Sequence, residues 1–160
     1  VPLEQMKVAG VTFDSSNNSP VVILRDMEEK RILPIWIGPF EANAILMELE
    51  GVHTSRPMTH DLIKRLVSSL GAKITQVVIN NLKDNTFFAE IQVSTENMVT
   101  KIDSRPSDAI AVALRVECPI YVEEHVLARG QWLDEGNLSE EERNKRFKEF
   151  IEKLKPEDFG

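Results

Sequence analysis

Apolar positions alternate loosely from residue 4 to 13, with Met6, Val8, Val11 and Phe13 as the apolar members. That period of two predicts a strand. The turn-rich stretch DSSNNSP follows, and then PVVILRDMEEKRILPIWIG, which predicts two short strands around a polar turn at residues 26–30. Pro39-Phe40-Glu41 opens a helical pattern carrying Ile45, Leu46 and Leu49 on one side, and Gly51 stands where that helix would stop. In the next helix Thr59 is the expected N-cap, His60 and Asp61 fill the first turn, and Leu62, Leu66 and Leu70 make a helical stripe up to Gly71. Two β-rich runs, 73–81 and 86–95, predict a hairpin through Leu82-Lys83-Asp84-Asn85. Residues 98–102 add a short strand, a helix capped by Ser107 turns Ile110, Ala113 and Leu114 inward, and 119–122 is a last strand.

The end of the chain reads differently. Residues 1–129 form one domain, 130–138 read as a linker, and 139–160 as a C-terminal amphipathic helix and tail. Ser139 with Glu142 makes a capping box, and Phe147, Phe150, Ile151 and Leu154 form an apolar stripe on a charged helix. Such a helix needs a surface to dock on. The expectation is an α+β fold: a mixed, mostly antiparallel sheet with helices and a C-terminal helix. Arg56-Pro57 and Arg105-Pro106 each precede a hydroxyl residue, an aspartate and an apolar helix, which suggests a duplicated β-and-α unit.

Composition narrows the function. The 160 residues carry a net charge of −7. From Leu133 onward nine acids face six bases, a net of −3, so the remaining −4 lies in the body of the chain. Sequence-independent nucleic-acid binding draws on Lys and Arg displacing counterions, and no basic run is present to do that broadly. A nucleic-acid role must then use a local patch, a metal or an assembled oligomer. One cysteine, Cys118, excludes an internal disulfide framework and a Cys-based zinc site, and fits a reducing cytoplasm. No stretch has the length of apolar residues that a membrane span requires.

Two readings of the Arg-Pro segments stand side by side. In the first they are punctuation. Proline fixes the entry to the helix, Thr59 or Ser107 caps it, and each arginine pairs with the aspartate that follows. In the second they are a site. Arg56 and Arg105 can grip phosphate oxygens, and helix N-termini present free N–H groups to an anion. Asp61, Asp103 and Asp108 can hold Mg²⁺ or Mn²⁺ through oxygen ligands. His60 can act as general acid or base, with Asp61, Asp108, Arg56 and Arg105 completing the catalytic set. Lys64 and Arg65, with Thr59 and Ser107, are the candidate substrate contacts. His53 and His125 stand apart and read as surface or capping residues, Trp36 reads as core, and Trp132 reads as an anchor for the tail. No Gly-rich phosphate loop or Gly-x-Ser-x-Gly is present, and no organic cofactor is expected.

LPIWIGPFEANAI, RPMTHDLI and IDSRPSDAIAVALR, in that order, resemble the bifunctional nuclease family over residues 4–128. The chain is similar in particular to a small thermophilic bacterial representative. Matching positions are Glu41 and Ala42; Arg56, Pro57, Thr59, His60 and Asp61; and Asp103, Arg105, Pro106, Ser107 and Asp108. The resemblance implies a mixed α+β fold, a homodimer, and hydrolysis of DNA and RNA, since plant relatives are described as acting on both. It supplies no catalytic set, so the residue roles above rest on their chemistry. A non-enzymatic oligomeric binding or regulatory module, with the Arg-Pro segments as braces, is the alternative. A small enzyme acting on another phosphate ester is the third.

Overall fold

A computed structural model describes residues 2–16 and 18–129, and in the tail residues 141, 142, 144, 145, 148 and 149, whose backbone is helical. The linker and the apolar stripe of the C-terminal helix lie outside the described residues. Among the described residues, seven strands and four helices are laid out up to residue 129. They are β1 (Leu3–Asp14), β2 (Ser19–Asp26), β3 (Ile32–Trp36), α1 (Pro39–Leu49), α2 (Thr59–Ser69), β4 (Lys73–Lys83), β5 (Thr86–Ser94), β6 (Val99–Ser104), α3 (Pro106–Val116), β7 (Ile120–Glu123) and α4 (Glu124–Arg129).

The strands form one sheet in the order β3-β2-β1-β7-β4-β5-β6. Every pairing is antiparallel except β4 with β7. The fold is therefore α+β with a mostly antiparallel sheet. Pro34, which cannot donate to a ladder, sits on the edge strand β3. The β4–β5 hairpin closes through Asp84 and Asn85, both at positive φ, with Lys83 opposite Thr86. That is the two-residue turn whose twist matches the strands it joins. Leu82 and Lys83, expected in the turn, belong to the strand.

The layout repeats. Each half is a three-stranded meander followed by a helix that starts at a proline: β1-β2-β3-α1 and β4-β5-β6-α3, with β7 inserted between β1 and β4. The repeat in the fold thus pairs α1 with α3. The Arg-Pro echo pairs α2 with α3, and α2 lies between the two units. The sequence carries the true correspondence as Pro-x-acid-Ala-x-Ala, at PFEANA from Pro39 and PSDAIA from Pro106. Glu41 and Asp108 hold equivalent places in it.

Helix α1 packs on β1 and β2, α3 packs on β4 and β5, and the two helices meet. Ala109, Ala111 and Ala113 let α3 lie close against its neighbours, and Ile110 and Val112 are fully buried with them. Helix α2 rests on α3 through Ile63 and Val67, which pack against the core. The stripe Leu62, Leu66 and Leu70 points outward instead, and Leu70 is 82% exposed. Both sets have helical spacing, and the neighbour chosen by α2 decides between them.

The helix starts also differ from expectation. Thr59 is the first residue of α2 rather than its cap, and Met58 holds the cap position. Asp61 returns its carboxylate to the Met58 N–H at 2.9 Å. In α3 the cap position is Arg105, Pro106 follows, and Ser107 is buried inside the first turn. Helix α4 had no expected counterpart. Its Glu124 joins Glu4 and Asp26 around Arg31, tying β1, the β2–β3 turn and α4 together.

Candidate active site between three helix starts

The first turns of α1, α2 and α3 surround an open cavity of about 820 Å³. Each contributes a charged or titratable side chain. Glu41 comes from α1, His60 from α2 and Asp108 from α3, with Arg105 at the cap of α3 and Asp103 on β6. The residues form one continuous chain of contacts. His60 Nε2 lies 2.9 Å from Asp108 Oδ1. Asp108 Oδ2 accepts from Arg105 Nη2 at 3.0 Å and from Nε at 3.2 Å. The same Nη2 donates to Glu41 Oε1 at 2.9 Å. One guanidinium therefore bridges the two carboxylates that the repeat makes equivalent.

A carboxylate only accepts, so the contact with Asp108 calls for the His60 tautomer with the hydrogen on Nε2, which leaves Nδ1 as the basic nitrogen. His60 is nearly buried, while Arg105 is 68% exposed. The Asp108 carboxylate, followed by Glu41, raises the Arg105 pKa further above its ordinary value. Gly38 makes room for this arrangement, because a Cβ there would collide with the Glu41 carboxylate.

Asp61 and Arg56 face elsewhere. Asp61 Oδ1 accepts from Arg115 Nε at 2.8 Å. Arg115 also donates to the carbonyls of Ala111 at 2.9 Å and Ala44 at 3.0 Å, and its side chain is 4% exposed. Burial opposes ionisation of Asp61, but the Met58 N–H and the Arg115 guanidinium outweigh it and hold the carboxyl below its usual range. A second recess of about 220 Å³ lies beside this pair and is lined by Arg56, Lys64 and Arg65. Lys64 Nζ reaches the Arg115 carbonyl at 3.1 Å. Arg115 and Met47 line both spaces, so the recess and the cavity adjoin.

A model of the bifunctional nuclease domain matches residues 22–134. The chain belongs to the bifunctional nuclease domain family. It is 41% identical over 162 residues to an uncharacterized protein of Mycobacterium tuberculosis, with 97% of each chain covered. It is 27% identical over 117 residues to Bifunctional nuclease 2 of Oryza sativa subsp. japonica. That match takes in 71% of this chain and 36% of the rice protein. Bifunctional nuclease 1 of Arabidopsis thaliana is 26% identical over 112 residues, 67% of this chain and 34% of the plant protein. The chain thus spans about a third of each plant relative.

The segment matching the family contains the starts of α1, α2 and α3, and so the whole cavity. Of the candidate residues, His60, Arg105, Asp108, Asp103 and Thr59 line the cavity. Arg56, Asp61, Lys64 and Arg65 line the recess. Ser107 lines neither and borders a shallow pocket near Trp36. The three aspartates considered as metal ligands are split between the two spaces. Among the described residues, no three His, Cys, Asp or Glu side chains gather as a ligand set. Glu41 and Arg115 were missed as site residues. The repeated Pro-x-acid-Ala-x-Ala was a usable signal for Glu41. Arg115 offered none, since a basic residue in the last turn of a helix is ordinary.

Proposed function

We propose that this chain hydrolyses phosphodiester bonds of DNA or RNA in the cavity between the three helix starts. The observation that carries this is the run of contacts His60–Asp108–Arg105–Glu41 at the cavity wall. Asp108 orients the imidazole and stabilises the positive charge that His60 gains on taking a proton through Nδ1. That proton comes from the attacking water. The water oxygen bonds to phosphorus as the bond to the leaving oxygen breaks, and a proton returns to the leaving oxygen. Exposed Arg105 donates to the phosphoryl oxygens as charge builds on them. Arg56, Lys64 and Arg65 in the adjoining recess contact a neighbouring phosphate.

The names of the plant relatives support nuclease chemistry for the family. Asp108 gives both carboxylate oxygens to His60 and Arg105, and Asp61 is held by Arg115, so a divalent ion at Asp61, Asp103 and Asp108 would have to compete with these partners. No step above runs through one, and the expected need for Mg²⁺ or Mn²⁺ becomes an arm of the test. Purified protein is incubated with single-stranded DNA and RNA in chelator, in Mg²⁺ and in Mn²⁺, beside Asp108→Asn protein prepared in parallel. Cleavage that the variant loses by about 10² or more is expected. Intact substrate in every arm, or equal cleavage by both proteins, would overturn the reading.

A second feature favours self-association. The outward stripe Leu62, Leu66 and Leu70 on α2 is apolar surface of the kind that covered interfaces use. We propose a homodimer through this face, compatible with either an enzymatic or a regulatory role. Leu66→Asp should then reduce the hydrodynamic size of the wild-type species, and an unchanged size would remove α2 from the contact. Burial pushes the Cys118 thiol up to about 11, which suits an unreactive cysteine in a reducing compartment such as the cytoplasm.

A further inference from the structure

Most of the cavity is not polar. Its floor is built from Val93 of the sheet and Ile63 and Val67 of α2, with Ile74, Ile91 and Val112 buried behind them. Ile74 and Val93 stand directly opposite each other in the β4–β5 ladder, so the floor is backed by a continuous strip of sheet. Phe40 lies at the mouth and is 87% exposed, and Met58 and Ile102 are further exposed apolar lining residues. The charged cluster occupies one wall.

A phosphodiester alone would engage that wall and leave the floor wet. A volume of about 820 Å³ lies within the roughly 300–1,000 Å³ of whole small-ligand sites and has room for a nucleotide. The ligand that fits both parts has an apolar planar face attached to a phosphate. In a duplex each base is stacked above and below and offers its edges to the grooves, so it cannot cover a recessed floor without being unstacked first. In a single strand the bases are free to turn out and stack on aromatic side chains.

We infer that the cavity takes one unstacked nucleobase, between the apolar floor and Phe40, and that the substrate class is single-stranded nucleic acid. This rests on the nuclease reading of the same cavity. The base fixes the strand with its phosphate at Arg105 and His60, and the next phosphate falls to the basic recess. Phe40 is then a base-stacking residue.

The test reads binding rather than cleavage. A short single-stranded oligonucleotide with a central 2-aminopurine is titrated with protein in chelator and with Mg²⁺, beside its annealed duplex. The single strand should bind at least tenfold more tightly, and the 2-aminopurine fluorescence should change on saturation. Phe40→Ala should weaken single-strand binding about tenfold and leave the melting temperature unchanged, since the ring is exposed. Ile102→Glu, a second exposed site on the mouth, should also weaken it. Equal affinity for the two forms, or wild-type binding by both variants, overturns the inference. If duplex and single strand are bound and cut alike, the nuclease reading survives without it. Binding of neither form defeats both.

Discussion

Arg105 and Arg115 lie at opposite ends of the same helix, and each pairs with a carboxylate from its surroundings. Their settings differ in one respect that decides their use. Arg115 is sealed in, with its N–H groups committed to Asp61 and to two backbone carbonyls. Arg105 is mostly in solvent, bridging Asp108 and Glu41 at the wall of a cavity. A buried guanidinium is locked because releasing it would strand a charge out of water. An exposed one exchanges partners at little cost, since solvent screens the pair. The first is a brace, and the second is free to give its N–H groups to a substrate. The fold therefore divides the motif between a buried ion pair and a cavity wall. Asp61 serves the brace, and Asp108 serves the cavity.

The contrast is broken most directly at the brace. Arg115→Met leaves Asp61 and two carbonyls without their donor, and should cost about 3 kcal/mol, roughly 10 °C in Tm. A thermal melt within a degree or two of wild type would show that Arg115 is dispensable. Asp108→Asn should do the reverse. Any cleavage should fall about 10²-fold or more while stability changes by about 1 kcal/mol or less. A large drop in Tm for that variant would make the cavity pair a second brace.

Acid titration sharpens the difference. The folded pKa of Asp61 is lowered, so its contribution is present above the unfolded value near 3.8 and is lost as pH falls through the folded value. Denaturant melts below about pH 4 should therefore show a flatter acid limb for Asp61→Asn than for wild type. Parallel limbs would mean that Asp61 gains nothing from the Met58 N–H and Arg115. The smallest effect is expected at Gly38→Ala. The methyl would displace the Glu41 carboxylate from Arg105, with a stability change of about 0.5 kcal/mol. A crystal structure of the variant with the Glu41–Arg105 contact intact would show that the space at Gly38 is unimportant.

Much of this could be read along the chain because its signals are local. A period of two marked the strands, Pro39 and Pro106 marked helix starts, and Gly51 and Gly71 marked helix ends where φ is positive. The meeting of the second and third helix starts was not legible, since a repeated Arg-Pro spacing marks two similar helix starts without bringing them together, and the His60–Asp108 contact spans 48 positions. The orientation of α2 was not legible. Leu62, Leu66 and Leu70 compete with Ile63 and Val67 for the inward face, and periodicity ranks neither. Nor was the burial of Arg115, which follows from α1 and α2 both closing over α3.

The order of residues was enough to specify most of the elements, the prolines that open α1 and α3, and the family motifs, because propensity, proline geometry and turn chemistry act over a few neighbouring positions. Packing alone assigned Asp61 to a brace and Asp108 to a cavity, and gave Glu41 to the same arginine. Those outcomes depend on which groups lose water when three helices meet over a sheet, and desolvation belongs to the assembled fold rather than to any stretch of chain.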